Sequence, residues 1–172
     1  MKKPVAMHPR YRVLFLCTRN ADRSIFAECF LRSLGGDRFE VYSGGESPAG
    51  EVHPLVLKIL REDFKVSTTG ALSKSWNDFA DVRFDFVITV SDDARERSPV
   101  FPGAPVTAHW SFEDPLAFDG TDKEKYRDFV QIAFQVKRRV ELFACLPIEK
   151  LDHLQREVQT RQIHEDARHQ PS

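Results

Sequence analysis

The sequence predicts an α/β fold, a single doubly wound open sheet of about four parallel strands with helices on both faces. Two observations lead there. Short, nearly unbroken apolar runs, the mark of strands buried on both faces, alternate with stretches whose apolar residues recur at helical spacing. The chain of 172 residues is one domain by length, with no internal repeat and no low-complexity segment.

The first strand is read at "YRVLFLC", Tyr11 to Cys17. A helix follows in "SIFAECFLRSLGG", where Ile25, Phe26, Cys29, Phe30 and Leu34 share a stripe and Gly35-Gly36 is the stop. "FEVYSGG" is the second strand. "HPLVLKILRED" is the second helix, with Pro54 in its first turn and Leu55, Ile59 and Leu60 on one face. "FDFVITVS", Phe84–Ser91, is the third strand and "VTAHW", Val106–Trp110, a short fourth. Thr121 opens a long helix through the capping box "TDKE", with Phe129, Ile132, Ala133, Val136, Val140 and Phe143 as its inward stripe. After Pro147, "IEKLDHLQREVQTRQI" predicts a thinner amphipathic helix through Leu151, Leu154 and Val158. The expected organisation is an N-terminal extension over 1–10, a catalytic domain over 11–146, a C-terminal helix over 147–163 and a disordered tail over 164–172.

Composition narrows the function classes. Lys plus Arg, 25, nearly balances Asp plus Glu, 26, so no nucleic acid or anionic membrane partner is expected. No run reaches membrane-spanning length and no signal-peptide core precedes the first strand, so the expected location is the cytoplasm. Three cysteines, Cys17, Cys29 and Cys145, are too few and scattered for a disulfide framework, and no cluster suggests a metal. Cys29 and Cys145 read as core residues.

The chemistry concentrates where the first strand meets the first helix, in "CTRNADRS". A bare C-x5-R match is weak, but here a buried strand ends at Cys17 and a helix starts just after Arg23-Ser24. Free N–H groups at a helix N-terminus stabilise an oxyanion and a thiolate, and such a position lowers a cysteine pKa. Arg23 offers a bidentate fork for two anion oxygens. In parallel sheets ligands bind beyond the carboxyl ends of the strands. That topology brings Asp114, in "SFEDP" after the fourth strand, to the rim where Cys17 lies. Pro115 restricts Asp114 to extended conformations. On local sequence alone Asp114 also reads as a plain turn aspartate.

These residues resemble the low-molecular-weight protein tyrosine phosphatase superfamily, whose loop reads C-x-G-N-x-x-R-S between strand and helix. Cys17, Asn20, Arg23 and Ser24 match position by position. "SGGESPAGEVHPLVLKIL", "SKSW", "PVFPG" and "HWSFEDP" are similar to segments of its arsenate reductase branch, and the resemblance spans about Arg12 to Leu151. It implies that Cys17 is the nucleophile, Arg23 the oxyanion clamp and Asp114 the general acid. Asn20 and Ser24 would organise the loop, and Thr18, Arg19, Ala21 and Asp22 would complete the substrate-binding turn.

Three departures set this chain apart. Arg19 stands where the family has glycine, and Asp22 where it has a small residue. An Asp22 carboxylate near the sulfur opposes both thiolate and anion; like charges about 4 Å apart cost on the order of 4 kcal/mol in a surface-like dielectric. Two arrangements are open: Asp22 inward and neutralised by Arg19, or Asp22 turned outward. The third departure is redox. In "VITVSDDARERSPVFPG" Ser91 and Ser98 occupy the positions where thioredoxin-coupled reductases carry relay cysteines, so no internal disulfide relay is expected. The charges of "ARERS" read as a solvated face.

Three functions follow as expectations. The first is an arsenate reductase-like enzyme that binds no cofactor and is resolved by an external thiol of the glutathione or glutaredoxin type. The second is a phosphatase hydrolysing phosphomonoesters through a cysteinyl-phosphate. The third is a catalytically weakened oxyanion-binding or regulatory protein. His53 and His109 read as structural residues, the His109-Trp110 pair as a brace for the Asp114 loop, and Trp76 as a packing anchor.

Overall fold

A computed structural model describes residues 10–168. The expected extension therefore lies outside the described residues except for Arg10, and of the expected disordered tail, residues 164–168 are helical while 169–172 lie outside the described residues.

Four parallel strands form one sheet in the order β2-β1-β3-β4: β1 Tyr11–Cys17, β2 Phe39–Gly45, β3 Phe86–Thr89 and β4 Val106–His109. β1 and β2 match the sequence reading residue for residue, while β3 and β4 are shorter at their ends than "FDFVITVS" and "VTAHW" suggest. The helices are α1 Arg23–Gly35, α2 Pro54–Lys58 continuing as a π turn Ile59–Asp63, α3 Asp92–Arg97, α4 Asp122–Ala144 and α5 His153–Arg168.

Side chains alternate across β1, as a pleated strand requires. Val13, Phe15 and Cys17 enter the larger core, built with α1, α2, α4 and α5. Leu14 and Leu16 enter a smaller one with Trp76, Phe84, Val87, Ala94 and Phe101. Helices thus cover both faces unequally, with α3 and a short 3-10 turn, Trp76–Phe79, on the lesser side. Trp76 is the packing anchor the sequence suggested.

The α4 capping box forms in full, and all six residues of its expected stripe are buried. Other expectations fail for local reasons. Leu34 is half-exposed, in the last turn of α1. On α2 the buried residues are Val56, Ile59 and Leu60, with Leu55 only partly covered. The C-terminal helix starts later and runs past residue 163 to Arg168, and its inward side is Thr160 and Ile163; Leu154 and Val158 face solvent. Its register is fixed by the bond from Trp110 Nε1 to Thr160 O, 3.1 Å, rather than by its leucines. Cys145 is exposed, since Phe143 is the last inward position of α4.

Candidate active site

β1 is a central strand, and its carboxyl end delivers Cys17, fully buried, beside Gly45 at the end of β2. The chain then turns through Thr18–Asp22 and enters α1. Asn20 takes the left-handed conformation, φ 49°, that asparagine tolerates better than most residues. Its side chain bridges the turn, with Nδ2 donating to Ser24 Oγ and Oδ1 accepting from Lys74 N, both at 2.8 Å. Ser24 Oγ lies 2.8 Å from Cys17 Sγ, and Asn20 N donates to the same sulfur at 3.2 Å.

The carbonyls of this turn are held from outside. Ser47 N donates to Thr18 O at 2.9 Å, Ala49 N to Arg19 O at 3.0 Å, and His53 N to Ala21 O at 3.0 Å. Ser73 Oγ also donates to Arg19 O, at 3.0 Å. With their oxygens occupied there, the peptide units direct N–H groups to the opposite side, toward the cleft, which is the arrangement an anion needs. Gly45 makes room for it: a Cβ there would stand 2.8 Å from Asn20 N and from Thr18 O.

Above the turn is a cleft of about 430 Å³ lined by Thr18, Arg19, Asp22, Arg23 and Asp114, with Asp92, Asp93, Ser111 and Glu113 at its far wall. A larger concavity, about 1180 Å³, lies against β4 and α5, and neither Arg23 nor Asp114 lines it; Cys17, fully buried, lines neither space. Arg23 closes the cleft: its Nη1 donates to Phe112 O at 3.2 Å, and its Nη2 is 3.8 Å from Asp114 Oδ2. Asp114 is extended, φ −78° and ψ 112°, and its Oδ1 caps Leu116 N at 2.9 Å. Asp114 thus makes its turn contact through Oδ1 and faces Arg23 through Oδ2.

Asp22 points inward. It is 3% exposed, caps α1 by accepting from Arg23 N, and lies 3.3 Å from Arg23 Nε. Its partner is Arg23, not Arg19, whose residue is exposed. This alters the thiol chemistry the sequence suggests. Burial and the Asp22 carboxylate push the Cys17 thiol up, against the downward pull of Ser24 and Arg23. The sequence predicts a depressed thiol pKa at Cys17; the structure raises it instead. Burial also pushes the Cys29 thiol up, to about 12.

The remaining residues brace the rim. Ser91 caps α3, a helix the sequence reading did not resolve, through Ala94 N at 3.3 Å, and its Oγ is 3.3 Å from Thr18 Oγ1. His109 links β4 to α3, with Thr89 Oγ1 at 2.7 Å on Nδ1 and Asp92 Oδ1 at 2.9 Å on Nε2. Trp110 anchors α5. His53 accepts from Leu55 N on Nδ1 at 3.1 Å, and burial holds its pKa below the ordinary histidine value. Of the loop's carbonyl partners, His53 was read from sequence as a structural residue, while Ser47, Ala49 and Ser73 were not singled out. The only signal for them was the Gly44-Gly45 pair, which marks a close backbone approach.

The profile of the low molecular weight phosphotyrosine protein phosphatase family matches residues 12–160. The chain belongs to that family. Within it, an arsenate reductase of Oceanobacillus iheyensis is 34% identical over 135 residues, 77% of this chain and 94% of the relative. An arsenate reductase solved in its phosphate-binding state superposes with a TM-score of 0.62 at 28% identity, covering 78% of this chain and 96% of that one. A thioredoxin-dependent arsenate reductase of Corynebacterium glutamicum superposes at 0.57 with 31% identity, covering 80% of this chain and 65% of that chain. The phosphatase family is one of enzymes, and these relatives place the chain in its arsenate reductase-like branch.

Proposed function

We propose that this chain reduces arsenate, with Cys17 as nucleophile and an external thiol as reductant. The observation that carries the reading is the convergence of Ser24 Oγ and Asn20 N on the Cys17 sulfur, in the same turn whose Arg23 lines a cleft with Asp114. The relatives named arsenate reductases support it.

Arg23 and the loop N–H groups hold the oxyanion over the sulfur. Cys17 attacks arsenic; the thiol proton and the proton delivered by Asp114 convert the displaced oxygen to water, leaving a Cys17–S–As(V) adduct. An external thiol then attacks the Cys17 sulfur. The S–As electron pair leaves with arsenic, which departs reduced by two electrons as arsenite, and a mixed disulfide remains. A second thiol cleaves it, oxidising the pair of external thiols to a disulfide and restoring Cys17.

The thiols come from outside for a structural reason. Ser91 and Ser98 are the two ends of α3, a cap and a terminus. Cys29 lies two turns inside α1, about 9 Å along the helix from Arg23. Cys145 is bound up with the opposite end of the sheet, where Arg38, just before β2, donates to Ala144 O and Leu146 O. β1 puts about 20 Å between that end and Cys17.

The test is arsenate-dependent consumption of thiol, with glutathione plus glutaredoxin and with thioredoxin in separate arms. Activity in either arm, lost in Cys17→Ser, is the expected result. Arsenate without added thiol should leave no stoichiometric Cys17–Cys29 or Cys17–Cys145 disulfide by non-reducing mass spectrometry. Turnover of p-nitrophenyl phosphate with no thiol consumption on arsenate would replace this reading by the phosphatase one.

A further inference from the structure

Asp22 is placed to read a proton on the ligand. Both hydrogen bonds of its carboxylate fall on Oδ1, from Arg23 N and from Arg23 Nε at 3.3 Å. Oδ2 is left for a donor arriving through the cleft that Asp22 lines. A tetrahedral oxyanion held by Arg23 brings its oxygens to this carboxylate. An unprotonated oxygen there is a second charged acceptor against the first, in a site 3% exposed at Asp22, and the two repel. An oxygen that carries a proton donates to Oδ2 instead, in a charge-assisted hydrogen bond. Asp92, Asp93 and Glu113 on the same cleft add negative charge, opposed by Arg19, and favour the protonated oxygen further.

We propose that Asp22 is a specificity-determining residue, which admits tetrahedral oxyanions bearing a hydroxyl where they meet the loop and rejects those without one. Hydrogen arsenate and hydrogen phosphate qualify. Sulfate, fully deprotonated at neutral pH, does not. A phosphomonoester turned for attack presents three non-bridging oxygens to the cradle, none protonated in the dianion, so it is rejected as well. The proposal rests on the oxyanion reading of the loop, and within it assigns the site to inorganic oxyanions over phosphomonoesters.

Calorimetric titration of the full chain at neutral pH with phosphate, sulfate and phenyl phosphate tests it. In wild type, sulfate and the phenyl phosphate dianion should bind about 100-fold more weakly than phosphate. Asp22→Asn keeps an acceptor to cap α1 and adds a donor, and should narrow the sulfate–phosphate difference to within about tenfold. Asp22→Ala, with thermal unfolding to verify its fold, should narrow it likewise. Sulfate bound by wild type as tightly as phosphate, or a ratio unchanged in folded Asp22→Asn, overturns the proposal. If none of the three anions binds any variant at millimolar concentration, the oxyanion reading falls and takes the proposal with it. A ratio that responds to Asp22 in a protein that does not reduce arsenate supports the proposal and removes only the reductase reading.

Discussion

Asp22 Oδ1 lies 3.3 Å from Nε of Arg23, while Asp114 Oδ2 lies 3.8 Å from Nη2 of the same guanidinium. The cation that closes the cleft is thus shared between two carboxylates, one at each of its edges. The Cys17 thiol feels the nearer of these as an upward push on its pKa, second to burial. Asp22→Asn removes that push and lowers the pKa. In a Cys145→Ser background, which removes the exposed thiol, alkylation of Cys17 near neutral pH should speed up roughly tenfold. An unchanged rate and pH profile would mean that burial alone sets the thiol.

Asn20 is the keystone of the turn by two separable properties. Its left-handed backbone is one, and its bonds to Ser24 Oγ and Lys74 N are the other. Asn20→Gly tolerates the backbone and loses the bonds; Asn20→Ala strains the backbone too. Both should lower kcat/KM for arsenate about 100-fold, and the alanine variant alone should lose a further ~1 kcal/mol of stability in urea. Equal stability of the two would show that the φ value is not a constraint.

Gly45→Ala should disable the site while the protein stays folded. The added methyl meets Asn20 N and Thr18 O at 2.8 Å, so the loop backbone must move. Phosphate affinity should drop at least about tenfold, with the unfolding midpoint little changed relative to a core substitution. Retention of wild-type affinity would show that β2 yields in place of the loop.

Glu28, 2% exposed, carries the pH prediction. Burial raises its carboxyl pKa, opposed by Lys74 and Arg32. The folded state therefore holds the Glu28 proton more tightly than the unfolded chain does. Its contribution is most favourable below the ordinary carboxylate pKa and is lost as pH rises through and above it. Urea unfolding from about pH 4 to about pH 7 should show a shallower fall in stability for Glu28→Gln than for wild type. Parallel curves would mean that Lys74 and Arg32 fully compensate the burial.

How much of this was legible in the sequence depended on what each element answers to. β1, β2 and α4 were readable to within a residue because unbroken apolar runs, a glycine pair and a capping box are local signals. α3 was written in the same local language, with Ser91 as cap, Asp92 and Asp93 in the first turn and Arg95 and Arg97 in the last. Its six residues carry no apolar stripe, so the charges read as mere surface. α5 misled because Leu154 and Val158 are not its contacts. Arg23 and Asp114 approach each other at 3.8 Å on the cleft, with Cys17 buried at the end of β1. The direction of Asp22 could not be read, because it follows from where the turn's peptide units point, and those are set by Ser47, Ala49, His53 and Ser73.

Those outward bonds on Thr18 O, Arg19 O and Ala21 O have a consequence for how the receptor works. The concave surface is finished before any ligand arrives, so binding requires little rearrangement of the chain and little loss of loop entropy. Affinity for the anion is therefore heritable through residues that never touch it. Loss of the Ser73 hydroxyl, or a proline at Ser47 or Ala49 that removes a donor N–H, would retune the cradle while leaving the C-x5-R signature intact, and two chains with identical loops would then bind the same anion differently.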